Sequence, residues 1–183
     1  MPEFEKVVIF GTGLIGGSFA LGLKEAGAVE EVVGFGRTPA TLRKAQELGV
    51  IDRAGINPAH EIGDADIVLV ATPVAQMPEI FERIAPYLGP NTIVTDGGST
   101  KGDVVAAARA AFKGHIGKFV PAHPIAGAED DDFLEFRHGL GASSLSASLH
   151  ATRRQCDQSP SHKAFRVRDQ NHSAIPGSAI HPV

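Results

Sequence analysis

Cysteine is nearly missing from this chain. The only one, Cys156, excludes an internal disulfide framework and, with no partner ligands nearby, gives no zinc signature. Long apolar runs are missing as well. The longest, such as residues 67–71, are strand-sized, whereas a bilayer span needs roughly 20 apolar residues, so no membrane segment is expected. Met1-Pro2-Glu3-Phe4-Glu5-Lys6 lacks the basic start and apolar centre of a secretory signal, and the expected location is cytoplasmic. Nor is there an excess of positive charge. A formal net charge of −4 argues against nucleic acid and anionic membranes as partners. With 43% hydrophobic and 21% charged residues the composition is that of a globular chain, which excludes collagen-like and wholly disordered classes. Its 183 residues suffice for one well-buried domain and not for two of ordinary size.

What is present divides into two unlike parts. Residues 6–121 alternate short β-branched runs with helical patterns, the βαβ rhythm of a parallel sheet covered on both faces. Strands are predicted at 6–10, 31–35, 67–71, 92–96 and 118–121, and helices at 14–26, 39–48, 74–87 and 102–112. Thr38 before Pro39 reads as an N-cap followed by proline at the first helical position. Leu48-Gly49-Val50 reads as a helix closed by a left-handed glycine before a further short strand. The order predicts an α/β fold, a doubly wound parallel sheet of the Rossmann NAD(P)-binding type, over residues 5–129. From about Asp130 the character changes. Residues 130–183 hold eight serines, the cysteine and five of the eight histidines, with no sustained period of 2 or 3.6, and read as a disordered C-terminal tail. The histidines at 138, 150, 162, 172 and 181 lie about ten apart, unlike the close pairs that hold a metal, and no metal is expected.

Gly11-Thr12-Gly13-Leu14-Ile15-Gly16 places G-x-G-x-x-G between a predicted strand and a predicted helix, the context a dinucleotide-binding loop needs. Gly11 permits the tight turn, Gly13 lets backbone approach a pyrophosphate, and Gly16 allows close packing of helix on strand. The helix start then offers unpaired N–H groups and a positive dipole end to phosphate. Alone, such a loop is equally a plain strand-to-helix turn. Twenty residues beyond Gly16, where an acidic side chain usually accepts the ribose hydroxyls, stand Gly36, Arg37 and Thr38. A guanidinium and a hydroxyl there favour NADP over NAD, because arginine grips phosphate through charge-assisted hydrogen bonds. If Arg37 is merely solvated, either cofactor is accepted.

Three further loops follow predicted strands at the carboxyl edge of the sheet, where doubly wound folds bind ligands. Thr72-Pro73 is expected to line the cofactor channel, although Pro73 also suits the start of the next helix. In Asp96-Gly97-Gly98-Ser99-Thr100-Lys101-Gly102 the glycines allow close approach, Ser99 can donate or accept a hydrogen bond, and Lys101 brings a cation near the helix start. A capped loop without catalytic duty is the alternative, and Asp96 can serve to orient the loop. His123, held by Pro124 and followed by a turn at Gly127, supplies an imidazole suited to moving a proton near neutral pH. Glu129 can hold a cationic partner or orient a loop. His60 and His115 fall in predicted polar connections and read as solvated.

Together the segments 11–18, 71–74, 96–102 and 123–129 resemble the prephenate dehydrogenase family, including its arogenate and cyclohexadienyl variants, over roughly residues 5–129. The first two are shared with many dehydrogenases. The serine loop followed by His123-Pro124-Ile125-Ala126-Gly127 is far more specific. The resemblance implies NAD(P)-dependent oxidative decarboxylation of prephenate to 4-hydroxyphenylpyruvate, or of arogenate to tyrosine, in tyrosine biosynthesis. It implies that His123 accepts the proton of the ring C4 hydroxyl, that Ser99 bonds that hydroxyl, and that Glu129 stands at the entrance of the substrate cleft. Family members continue into another strand and a helical domain that forms a homodimer. Neither pattern follows here, so the expectation is a truncated or frameshifted product with little turnover of its own. Two other readings stay open, a β-hydroxyacid or imine reductase needing neither Ser99 nor His123, and a non-catalytic nucleotide-binding module.

Overall fold

The computed structural model describes residues 1–122. Six strands, β1 (Phe4–Phe10), β2 (Val29–Phe35), β3 (Arg53–Ala54), β4 (Ile67–Val70), β5 (Ile93–Asp96) and β6 (Phe119–Val120), form one sheet in the order β3-β2-β1-β4-β5-β6. Every pairing is parallel, with Val7 opposite Val32 on one side and Ile67 on the other. The chain thus winds outward from a central β1 in both directions, as a doubly wound sheet does. The tail predicted for residues 130–183 lies outside the described residues.

A parallel sheet buried on both faces needs apolar side chains at successive positions, which is what β1 and β4 supply. Val7 and Ile9 of β1, with Ile67 and Leu69 of β4, point into one core. Against them lie α1 (Leu14–Glu25) through Phe19, Ala20 and Leu23, and α2 (Pro39–Glu47) through Ala45. Val8, Phe10, Val68 and Val70 point into the other. There α4 (Met77–Ile84) contributes Met77, Phe81 and Ile84, and α5 (Lys101–Phe112) contributes Val104, Ala108 and Phe112. Phe81, Phe112 and Phe119 form a ring cluster with centroids 5.1 to 5.9 Å apart.

Thr38 caps α2 by accepting the Thr41 N–H at 3.2 Å, with Pro39 at the first turn, and Gly49 (φ +70°) closes it, both as the sequence indicates. The predicted helix at 74–87 is instead a 3₁₀ turn, α4 and a second 3₁₀ turn over Ala85–Tyr87. Pro78 and Pro86 are the causes of the two breaks, since without an N–H neither can continue the i to i−4 ladder. A short α3 (Pro58–Glu61), capped by Asn57, arises where the sequence suggested only a polar connection. His60 lies on it, and His115 lies in a 3₁₀ turn after α5; both are exposed.

The amino edge of the sheet is tied by charge. Arg53 donates to both oxygens of Glu61 at 2.7 Å and to Glu31 at 2.7 and 3.2 Å. Lys6 lies 3.2 Å from Glu61 and 2.9 Å from Asp64. The Arg53 hydrogen bonds hold the Glu61 carboxyl down at about 2 against the opposing effect of burial, with Lys6 adding to them. Burial works against the Lys6 ammonium, but Asp64 and Glu61 more than offset it and raise its pKa. Glu61 and Glu31 likewise raise that of Arg53.

Candidate functional site

At the opposite, carboxyl edge, Gly11 leaves β1 with φ +95°, a left-handed conformation that a side chain would strain. A Cβ on Gly11 would stand 2.5 Å from the Ala71 carbonyl oxygen and 3.2 Å from Thr72 Cγ2. The glycine loop therefore lies directly against the Thr72-Pro73 loop. Backbone bonds carry the contact past the strand ends, with Gly11 N–H donating to Phe35 and Ala71 N–H to Phe10, each at 2.8 Å. A Cβ on Gly16 would overlap the Gly11 carbonyl, so the helix packs onto the turn as the sequence indicates. Above Gly13 nothing stands within 4 Å of where a Cβ would be. That opening faces the start of α1, which begins with no side-chain cap and no acidic residue in its first turn. Uncapped N–H groups at a clear helix start suit an anion.

The loop after β2 comes to the same place, since a Cβ on Gly36 would lie 3.7 Å from Thr12 Oγ1. Arg37 beside it is exposed. Thr38, whose hydroxyl the sequence offered to a ligand, uses that oxygen to cap α2, and pairs with Thr41 Oγ1 at 2.8 Å. The hydroxyls of Thr12 and Thr72 are buried and have no hydrogen-bond partner among the described residues. Each such group costs about 1–3 kcal/mol unless something satisfies it. A polar dinucleotide laid along this edge fits both orphans and the opening at Gly13. Pro73 is exposed and leads into the 3₁₀ turn Val74–Gln76. Leu14 and Ile15 open α1, Leu14 exposed and Ile15 half-buried.

The serine loop joins the edge through Gly97, where a Cβ would meet Ile15 Cγ2 at 2.9 Å. Ser99 is exposed at its tip. Beneath it Asp96 is fully buried and accepts Gly98 N–H at 2.8 Å, Ala122 N–H at 3.2 Å and the Lys101 ammonium at 2.5 Å. Lys101 also donates to the Ala122 carbonyl. The cation noted in the sequence is thus spent inside the loop, and Asp96 is its organiser. No local signal announces that arrangement, because Asp96 and Ala122 are 26 residues apart. The structure brings Gly11, Thr12, Gly13, Gly16, Thr72 and the serine loop together; His123 and Glu129 lie outside the described residues. Among the described residues no group of three His, Cys, Asp or Glu is arranged to hold a metal ion, and no helix is long and apolar enough to cross a membrane.

Comparison with known sequences adds a match of residues 19–134 to the family described as prephenate dehydrogenase, nucleotide-binding domain. The chain belongs to the prephenate dehydrogenase family. Its prephenate dehydrogenase relative in Lactococcus lactis subsp. cremoris is 37% identical over 125 residues, 68% of this chain and 35% of that one. A solved prephenate dehydrogenase from A. aeolicus, in complex with hydroxyphenyl propionate and NAD+, superposes with a TM-score of 0.62 at 32% identity over 69% of this chain and 43% of that one. For Synechocystis arogenate dehydrogenase the TM-score is 0.59 at 32% identity, covering 68% and 42%. The chain therefore spans less than half the length of these members of the prephenate dehydrogenase family and matches their nucleotide-binding portion.

Proposed function

We propose that this chain binds NADP in preference to NAD and takes part in the oxidative decarboxylation of prephenate to 4-hydroxyphenylpyruvate, or of arogenate to tyrosine. The observation that carries the reading is the meeting of the glycine loop, the Thr72 loop and the Ser99 loop at one sheet edge, with two buried hydroxyls waiting for partners. Gly11, Thr12, Gly13, Leu14, Ile15 and Gly16 would hold the pyrophosphate, Thr72 and Pro73 the length of the dinucleotide, and Arg37 beside Thr38 the 2′-phosphate. When bound, the nicotinamide supplies the acceptor for the hydride that leaves ring C4. His123 takes the C4 hydroxyl proton while Ser99 bonds that oxygen and orients the imidazole. The bond to the ring carboxylate breaks, CO2 departs, its electron pair completes the aromatic ring, and the resulting phenolate oxygen takes back the proton held by His123. Aromatisation drives the step, so the protein has only to align the groups. Glu129 would serve at the entrance of the substrate cleft, a role drawn from the family resemblance alone.

Such a base must be neutral before turnover, so the rate falls as acid protonates His123. The test is fluorescence titration of the whole chain with NADPH and NADH, followed by assay of reduced cofactor formed from prephenate. NADPH is expected to bind more tightly, and Arg37→Ser to weaken it about tenfold, the scale of one lost charge-assisted hydrogen bond, with NADH unchanged. Equal affinities insensitive to Arg37 overturn the NADP preference, and binding of neither overturns the site. Turnover that persists in Ser99→Ala and His123→Asn overturns the roles given to those residues.

A further inference from the structure

Thr12 stands in a notch of β2 that two glycines leave open. A Cβ on Gly34 would come within 2.9 Å of Thr12 Cγ2 and 2.8 Å of Ile51, and one on Gly36 would lie 3.7 Å from Thr12 Oγ1. Glycine weakens a strand and often marks the close approach of a ligand or of other chain. Gly34 is buried, and the threonine methyl and Ile51 fill the space of its missing side chain. Gly36 is exposed, and the group beside it is a hydroxyl with no hydrogen-bond partner among the described residues. Its other neighbour is Leu42, in the first turn of α2, whose Cδ2 and Cγ would lie 3.1 and 3.3 Å from a Cβ on Gly36. Position 36 is where a carboxylate usually takes the ribose hydroxyls. Leu42 therefore crowds the first atom of any such side chain. Resting on the NADP reading above, we propose that Thr12 and Leu42 set the choice of nucleotide. Leu42 excludes an acidic side chain at position 36, and the Thr12 hydroxyl serves in its stead, donating to the 2′-phosphate.

Packing alone does not account for the threonine. Valine has the same shape, would set a methyl against Gly34 as well, and would leave no polar atom buried without a partner. What the hydroxyl adds is a donor. A carboxylate can only accept, so it suits the 2′-hydroxyl of NAD and repels the 2′-phosphate of NADP; a threonine hydroxyl donates to phosphate without that repulsion. Arg37, exposed next to Gly36, supplies the charge, and Thr12 a neutral donor. The hydroxyls of Thr38 and Thr41 are already engaged, since they bond each other and Thr38 caps α2.

The experiment is fluorescence titration of the whole chain and its variants with NADPH and NADH, beside urea midpoints taken without nucleotide. Thr12→Val is expected to weaken NADPH about tenfold more than NADH, the scale of one hydrogen bond, with no fall in the midpoint. Thr12→Ser, which keeps the hydroxyl, should bind NADPH as the native chain does. Gly36→Asp alone is expected to weaken NADPH, lower the midpoint and gain nothing for NADH, because Leu42 leaves the carboxylate no room. Gly36→Asp with Leu42→Ala should lose less stability than the two single changes together and bind NADH about tenfold more tightly than the native chain. Should Leu42→Ala fold poorly, Leu42→Met keeps apolar bulk without the branch and gives the same readout. Equal effects of Thr12→Val on the two nucleotides, or none, overturn the role of the hydroxyl. Tight NADH binding by Gly36→Asp alone, or none by the double variant, overturns that of Leu42. Both results leave the nucleotide site standing, whereas a native chain that binds neither NADPH nor NADH overturns the site and this inference with it.

Discussion

At the scale of single residues, Gly11 and Gly13 separate folding from ligand binding, although two positions divide them. Gly11 combines φ +95° with a Cβ position 2.5 Å from a carbonyl oxygen, so Gly11→Ala must distort the turn or push the Thr72 loop away. Left-handed strain and overpacking together are expected to cost about 3 kcal/mol, read from the urea midpoint. Gly13 has φ −80° and open space around it. Gly13→Ala should cost less than about 1 kcal/mol of stability, the loss of a favoured cap residue, yet weaken NADPH binding severely because the methyl stands where the pyrophosphate would lie. A Gly13→Ala variant that binds NADPH normally would remove the pyrophosphate from this opening. Both glycines could be named from sequence because a G-x-G-x-x-G loop is a local pattern. Asp96 and Lys101 could not, since the partner that gives them meaning, Ala122, is joined to them only by the sheet.

Among elements, α5 ends under strain. Lys113 follows Phe112 with φ +46° and ψ −113°, a region that favours glycine, and the glycine comes one residue later at Gly114. Relief of about 1–3 kcal/mol of strain outweighs the roughly 0.5–1 kcal/mol of added chain freedom, so Lys113→Gly is expected to stabilise by about 1 kcal/mol. Thermal melting should then shift upward by about 3 °C; a lower midpoint would show that Lys113 is relaxed. The strands were legible from their β-branched runs to within two residues, because burial on both faces demands such runs. Short elements were less so. Asn57-Pro58 repeats the cap-and-proline signal of Thr38-Pro39, but four residues give α3 no apolar period to read. β3, two residues long, is a strand only because β2 lies beside it.

For the whole molecule, the charges at the amino edge join α3 and the outer strands to β1, and they make stability depend on acid. Glu61 titrates near 2 when folded, against an ordinary value of 4.5, so its pairing stabilises fully above about pH 4.5 and is lost as pH falls toward 2. Arg53 is 41% exposed, and solvent screening holds the contribution to about 2 kcal/mol. Glu61→Gln is therefore expected to lower the urea midpoint at pH 7, with the gap closing by about pH 2; a gap independent of pH would assign the loss to packing instead. This network, whose members lie up to 58 residues from one another in Lys6 and Asp64, left no trace in the sequence beyond ordinary surface charges. The central place of β1 has a different consequence, one for synthesis. β1 leaves the ribosome before either neighbour, and its second flank, β4, is complete only at Val70. Strands cannot be laid down in the order they are made: Val7–Phe10 must wait with a bare apolar edge for some sixty residues of chain to emerge. A nascent chain stalled before β4 would expose that edge to its neighbours on the same messenger, which makes this interval the one in which a holding chaperone matters most.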